Sequence, residues 1–277
     1  MLDESKKNII LFEIFEENPS ISGSEKALSE LLSTCKTQEE LDLILHTLRI
    51  TKYLSDDELH EIIEKSTQYI SSLVKTGEPI AVVAMAYDGS ADSSQAIIHL
   101  LKTYLPDSDE IVLHNSIPTF IRSLKHKSDY KECVIIDEFT GTGSTVITRH
   151  NYLTKNTEKL SDDCRFSFLL LVGMENAISN IKSEGIDVEV FMTNKAGITG
   201  YFDDKDAGDQ IALMKRLEAE LASRIGEEKL PSLGVGSAEA AYSIKNWNAP
   251  NSNFPILWWP KRRDNSERRT LFRRRGF

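Results

Sequence analysis

Residues Val134 to Thr145 read V-I-I-D-E-F-T-G-T-G-S-T, an apolar run that ends in two adjacent carboxylates and then in a turn of small and hydroxyl residues. Val134, Ile135 and Ile136 have the composition of a central parallel strand buried on both faces. Asp137 and Glu138 then stand at its carboxyl end, where open α/β sheets place their ligands. Two acids there can accept hydrogen bonds from vicinal hydroxyls, as on a ribose. The loop Thr140-Gly141-Thr142-Gly143-Ser144-Thr145 can turn its backbone N–H groups toward an anion, because glycine permits positive φ and the next helix begins with free donors. The strip reads as a cradle for a sugar phosphate. The plainer alternative is a buried strand whose acidic end and hydroxyls only cap the next helix.

Two common phosphate motifs are excluded. A Walker A loop needs lysine after its glycines, and the order here is Gly143-Ser144-Thr145. A dinucleotide fingerprint needs a third glycine, and position 146 is Val146.

The order of three apolar residues, two acids, a short spacer and Thr-Gly-x-Thr resembles the phosphoribosyl pyrophosphate (PRPP) signature of type I phosphoribosyltransferases. It is matched by Val134 to Ile136, Asp137, Glu138, Thr142, Gly143 and Thr145. The resemblance implies that Asp137 and Glu138 contact the ribose hydroxyls and that Thr140 to Thr145 hold the 5-phosphate. It makes PRPP or a nucleotide the expected ligand. Two positions depart from the pattern. Gly141 stands where purine-salvage members carry an aspartate that acts on the base. The upstream loop, where the family binds pyrophosphate with magnesium, reads Tyr87-Asp88-Gly89-Ser90-Ala91-Asp92. Gly89 and Ser90 suit an anion, whereas Asp88 and Asp92 have the wrong sign. Those acids can instead hold Mg²⁺, the candidate cofactor, which prefers oxygen ligands. A helix cap at Asp92 or Ser93, with Gln95 completing a capping box, competes with that role. Apart from that Mg²⁺, no metal site is expected.

Around this strip, strand-like and helical stretches alternate. Ile80–Tyr87, Glu110–His114, Cys133–Glu138, Phe166–Val172 and Val188–Thr193 have strand composition. Helices are expected near Ser93–Tyr104, Pro118–Lys125, Ser144–Lys159 and Asn176–Ser183. Strand then helix, repeated, predicts an α/β fold with a five-stranded parallel sheet flanked by helices, which the resemblance implies to be phosphoribosyltransferase-like.

Three segments follow: a helical N-terminal segment over 1–78, the phosphoribosyltransferase-like core over 79–226, and an irregular aromatic and basic extension over 227–277. In the first, Thr37 with Glu40 and Ser55 with Glu58 fit capping boxes, and three or four helices are expected. A long helix from about Ala207 to Ile225 closes the core. Lys195, just past the fifth strand, can reach a base oxygen, although a solvated lysine is the plainer reading.

The net charge of −10 hides an asymmetry, since residues 261–277 carry eight Lys/Arg against two Asp/Glu and the rest of the chain is acidic. The basic end can seek phosphate or an acidic surface, or pair with the chain's own acidic body. All three tryptophans, Trp247, Trp258 and Trp259, also lie in the extension. The run from Asn248 to Trp259, with Leu271-Phe272-Arg273, resembles the tails of a phosphoribosyltransferase-like branch of bacterial conflict systems. This second resemblance implies an effector or accessory protein of antiphage defence. A retron-type reverse transcriptase with its RNA–DNA hybrid, or other defence proteins, would be its partners, and a homo-oligomer is open. Packing of the tail back onto the core is the default physical expectation.

Cys35, Cys133 and Cys164 show no C-x-x-C spacing, which speaks against a disulfide framework and for a reducing cytoplasm. No signal peptide or membrane-length apolar run is visible, so no membrane partner is expected. Three function classes stay open: an enzyme acting at the glycosidic centre of a ribose phosphate, a ligand sensor without turnover, and a scaffold for a nucleoprotein complex.

Overall fold

The computed structural model describes residues 4–275 except 18, 76, 90, 127–128, 158–159 and 161–163. The chain divides into two compact units, one made of Met1–Asp57 with Lys195–Phe277 and the other of Glu58–Asn194. The helical segment expected over 1–78 and the extension expected over 227–277 thus contribute largely to the same unit.

The chain opens with α1 (Glu4–Glu17), α2 (Pro19–Ser22), α3 (Glu25–Ser33) and α4 (Gln38–Ile50). Thr37 starts α4 with the expected capping box: its side chain accepts from Glu40 N, and the Glu40 carboxylate reaches back. Leu41, Ile44, Leu45 and Leu48, at spacings of three and four, form the buried stripe of α4. The three-residue β1 (Lys52–Leu54) follows, then α5 (Asp56–Leu73).

The Glu58–Asn194 unit holds the sheet. Its strands are β2 (Ile80–Ala84), β3 (Ile111–His114), β4 (Glu132–Thr140), β5 (Arg165–Met174) and β6 (Asp187–Asn194). They are joined by α6 (Ser93–Tyr104), α7 (Ile117–Ser123), α8 (Ser144–Asn156) and α9 (Glu175–Ser183). All pairings are parallel, in the order β3-β2-β4-β5-β6. Ile80 to Ala84 and Glu132 to Ile136 are buried without alternation, as strands covered on both faces must be. Cys133, Ile135, Phe168 and Leu170 pack in one cluster with Ile117 and Phe120 of α7, Val146 and Leu153 of α8, and Ile181 of α9. After β2 the chain moves to one side of that strand for β3 and crosses to the other for β4. The switch point of the sheet therefore lies between β2 and β4, where doubly wound sheets open a crevice.

The remaining chain is α10 (Asp204–Glu218), the short antiparallel pair β7 (Arg224–Ile225) and β8 (Glu228–Lys229), β9 (Tyr242–Ile244) and α11 (Pro255–Trp258). α10 ends at Glu218, short of the expected Ile225, because the chain turns into β7. β9 pairs in parallel with β1, register Tyr53 to Ser243. The tail is core rather than appendage. Trp258 and Trp259 are 2% and 1% exposed, and with Phe254 and Phe272 they pack in one cluster with residues of α3, α4 and α10. Trp258 donates from its indole nitrogen to Asn253 O (3.0 Å), meeting the one polar need of a buried tryptophan. Among the described residues, no helix is long and apolar enough to cross a membrane.

Candidate functional site

Two loops meet the switch point. The first leaves β2, and its two ends are pinned. Met85 N donates to Ile136 O of the neighbouring strand (3.0 Å). Ala86 N donates to Ser94 Oγ (3.0 Å), and the Ser94 hydroxyl donates in turn to Asp92 Oδ1. Asp92 Oδ1 also accepts from Ser94 N (2.9 Å), while Gln95 Oε1 accepts from Asp92 N (3.3 Å). Asp92 is therefore the cap of α6, as its spacing to Gln95 implied. Between these anchors Tyr87, Asp88 and Gly89 are exposed. Ser90, the third residue expected to meet an anion here, lies outside the described residues.

The second loop leaves β4. Cys133 and Ile135 face α7 and α8, so strand alternation sends Asp137 to the same face and Glu138 to the other. Asp137 Oδ1 accepts from Glu138 N (2.8 Å), and Glu138 is only 7% exposed. The Asp137 carboxyl is held well above the usual carboxylate range, first by burial and then by the charges of Glu138 and Asp92, with the Arg149 guanidinium opposing them. Asp137, Asp92 and Arg149 are thus electrically in touch across the crevice mouth.

The turn after β4 is open at its tip. Thr140 is buried, Gly141 and Thr142 are half-buried, and Ser144 and Thr145 are exposed. Thr142 Oγ1 and Ser144 Oγ lie 2.9 Å apart, and Asn180 of α9 donates to Thr142 O (3.4 Å). Gly143 starts α8 in the left-handed region at φ +83°, with no side chain capping the helix. A Cβ there would come 2.9 Å from Ala177 O and 3.0 Å from Ile181 Cγ1, so α9 presses directly on the turn. The first turn of α8 leaves its N–H groups without helical acceptors, a ready anion seat.

A model of the PRTase-CE family matches residues 34–274 of this chain. The chain belongs to the PRTase-CE family. No curated protein matches it. Among solved structures, it is similar to orotate phosphoribosyltransferase of Mycobacterium tuberculosis H37Rv in complex with PRPP, at 12% identity over 55% of this chain and 79% of that one, TM-score 0.32. It is also similar to a hypothetical protein from Neisseria gonorrhoeae with bound ppGpp, at 13% identity over 60% and 96%, TM-score 0.35. A phosphoribosyltransferase from Corynebacterium diphtheriae shares 10% identity over 57% and 96%, TM-score 0.32.

In this PRTase-CE chain the predicted residues Asp137 and Thr140 to Thr145 come together at one strand end with Asp92 of the first loop. Sequence reading missed three residues beside them. Arg149 of α8 lies with its guanidinium carbon 4.2 Å from the centroid of the Tyr87 ring, and Tyr152 meets Tyr87 edge-on at 4.9 Å. The signal was faint: Tyr87 ends the apolar run of β2, and Arg149 and Tyr152 are three residues apart on one face of α8. Lys195 is exposed, as a solvated lysine would be. Among the described residues of the PRTase-CE chain, no group of three or more His, Cys, Asp or Glu is arranged to hold a metal ion. The Asp137, Glu138 and Asp92 carboxylates disfavour one another's ionisation, so a cation arriving with a phosphate, as Mg²⁺ commonly does, would relieve them.

Proposed function

We propose that this PRTase-CE protein binds a ribose phosphate, PRPP or a nucleotide, at the switch point between β2 and β4. Asp137 takes the ribose hydroxyls, Glu138 backs it from the buried opposite face of β4, and Thr140, Gly141, Thr142, Gly143, Ser144 and Thr145 take the 5-phosphate. Asp88 and Gly89, with Ser90, border the pyrophosphate side. Asp137 and Asp92 would hold a Mg²⁺ brought in with the phosphates, and such an ion would supply charge neutralisation for a leaving pyrophosphate. The observation that carries this reading is the placing of a perturbed, half-buried Asp137 beside an open, glycine-started helix N-terminus.

The setting we propose is that of a cytoplasmic effector or accessory protein of bacterial antiphage defence. Its partner would be a retron-type reverse transcriptase with its RNA–DNA hybrid or another defence protein, and self-association is part of the proposal. Gly141, which supplies no carboxylate to act on a base, favours a second reading in which the ligand is sensed without turnover.

Isothermal titration with PRPP, NAD and nucleoside monophosphates, with and without Mg²⁺, tests the site. Binding that is lost in Asp137→Asn supports the assignment, and binding unchanged in that variant removes it. Release of pyrophosphate, free base or ribose phosphate then separates enzyme from sensor.

A further inference from the structure

The unit formed by Met1–Asp57 and Lys195–Phe277 contains an open cavity of about 700 Å³ that the reading above does not use. Its lining includes Lys26, Lys245, Arg268, Arg269 and Arg273, while Glu25 is the one carboxylate among the described lining residues. Several local features build it.

Arg268 is 7% exposed and forms part of the wall. Its two Nη atoms donate to Trp259 O (3.1 Å) and Ile256 O (3.0 Å), which fixes the guanidinium plane. Its Nε is buried with no acceptor among the described residues, nor does any carboxylate there form an ion pair with it. Burial lowers the Arg268 pKa to about 10, with Glu30 opposing that shift. Glu30 itself is engaged by the Arg262 guanidinium and by Arg269 N (3.1 Å). Arg268 is thus a buried cation whose hydrogen bonds go to neutral carbonyls and whose charge is only partly offset, by Glu30.

The N-terminus of α3 borders the same cavity through Ser24, Glu25 and Lys26. Ser24 begins the helix without a side-chain cap, so the first N–H donors are left for another acceptor. Lys245 and Arg273 line the cavity with Tyr53, and both pull its phenol pKa down against the burial and the Asp56 charge that raise it. Asn246, two residues past β9, holds positive φ (65°) and turns the chain so that the half-buried Trp247 joins the wall. Lys245 shares its charge with Asp56 (3.0 Å), but no carboxylate is paired with the side chains of Lys26, Arg269 or Arg273 among the described residues.

From this arrangement we infer a nucleotide-phosphate site: the cations and the α3 terminus take a phosphate, and Trp247 or Tyr53 stacks on its base. The same chemistry is offered by a free nucleotide and by single-stranded nucleic acid carrying a terminal phosphate.

The test uses the full chain carrying Asp137→Asn, so that ligand held at the β2–β4 crevice does not obscure the result. Adenosine monophosphate and a 5′-phosphorylated oligothymidylate are titrated at low and moderate salt, with tryptophan fluorescence as one readout and calorimetry as the other. At least one of them should bind, with Trp247→Phe removing most of the fluorescence change. Arg269→Gln with Arg273→Gln should weaken that binding by about tenfold or more and flatten its salt dependence. Tighter binding of the oligonucleotide identifies nucleic acid as the source, and equal or tighter binding of the monophosphate identifies the free nucleotide. Failure of both probes to bind overturns the inference. So does unchanged affinity in the doubly substituted protein, with circular dichroism confirming that it is folded.

Discussion

Gly143→Ala probes how rigidly the phosphate turn is built. At φ +83° an alanine pays the left-handed penalty of about 1–2 kcal/mol. Its Cβ would also sit 2.9 Å from Ala177 O and 3.0 Å from Ile181 Cγ1. One contact is backbone and the other a fully buried side chain, so neither moves freely, and overpacking of this kind adds about 1–3 kcal/mol. The total is about 2–5 kcal/mol. Gly185 is the matched control, since it holds φ +72° but a Cβ there meets nothing within 4 Å. Gly185→Ala should lose only the conformational part. Urea denaturation of both variants, analysed by linear extrapolation at common slope, measures the difference directly. Equal destabilisation would refute the claim that α9 presses on the turn. A loss below about 0.5 kcal/mol in Gly143→Ala would refute the left-handed conformation itself. Because α8 must move off α9 to admit the methyl group, ligand affinity should fall in Gly143→Ala and not in Gly185→Ala.

Asp137 has a folded-state pKa raised above its unfolded value, so the native state holds the proton longer and stability falls as pH rises from the ordinary aspartate range through the raised value. Asp137→Asn should abolish that fall and be more stable than the parent at neutral pH, as followed by thermal melts across pH; an unaltered pH slope would count against it. Arg149→Gln should push the Asp137 pKa higher still and weaken ribose-phosphate binding at neutral pH by calorimetry, whereas unchanged affinity would detach Arg149 from the site. Phe272→Ala should cost about 3–5 kcal/mol in denaturation, because this ring near the chain end is fully buried; a loss under 1 kcal/mol would return the tail to the surface. Cys133 and Cys164, with Sγ atoms 3.5 Å apart, should be joined by mild oxidation, detectable by peptide mapping and absent in Cys164→Ser.

The sheet was legible because each strand announces itself locally. Unbroken apolar runs such as Ile80 to Ala84 and Val134 to Ile136 admit few other readings, and the helix starts at Asp92 and Thr37 follow from side chains three residues apart. The candidate site was legible for the same reason, since Asp137 to Thr145 is one continuous stretch. What escaped depends on residues distant in sequence. Tyr87 and Arg149 meet only after β2 and α8 are placed, and neither has a meaningful spacing to the other. β1 was invisible because three residues of half-buried strand carry no periodicity, and its partner β9 lies far along the chain. Packing of the last residues back onto the core was the default expectation, but composition does not reveal that carbonyls of Ile256 and Trp259 await Arg268.

The pairing of β1 with β9 has a bearing on synthesis. As the polypeptide leaves the ribosome, the segment Glu58–Asn194 has everything its sheet requires before β9 is made. Residues 1–57 do not: their strand partner and the aromatic side chains packed with α3 and α4 are made only after that sheet. The apolar faces of α3 and α4 must wait, unsatisfied, until the stretch from β9 to Phe272 has been synthesised. A product stopped ahead of β9 would be expected to carry a finished sheet beside adhesive helices, a natural client for chaperones or proteases.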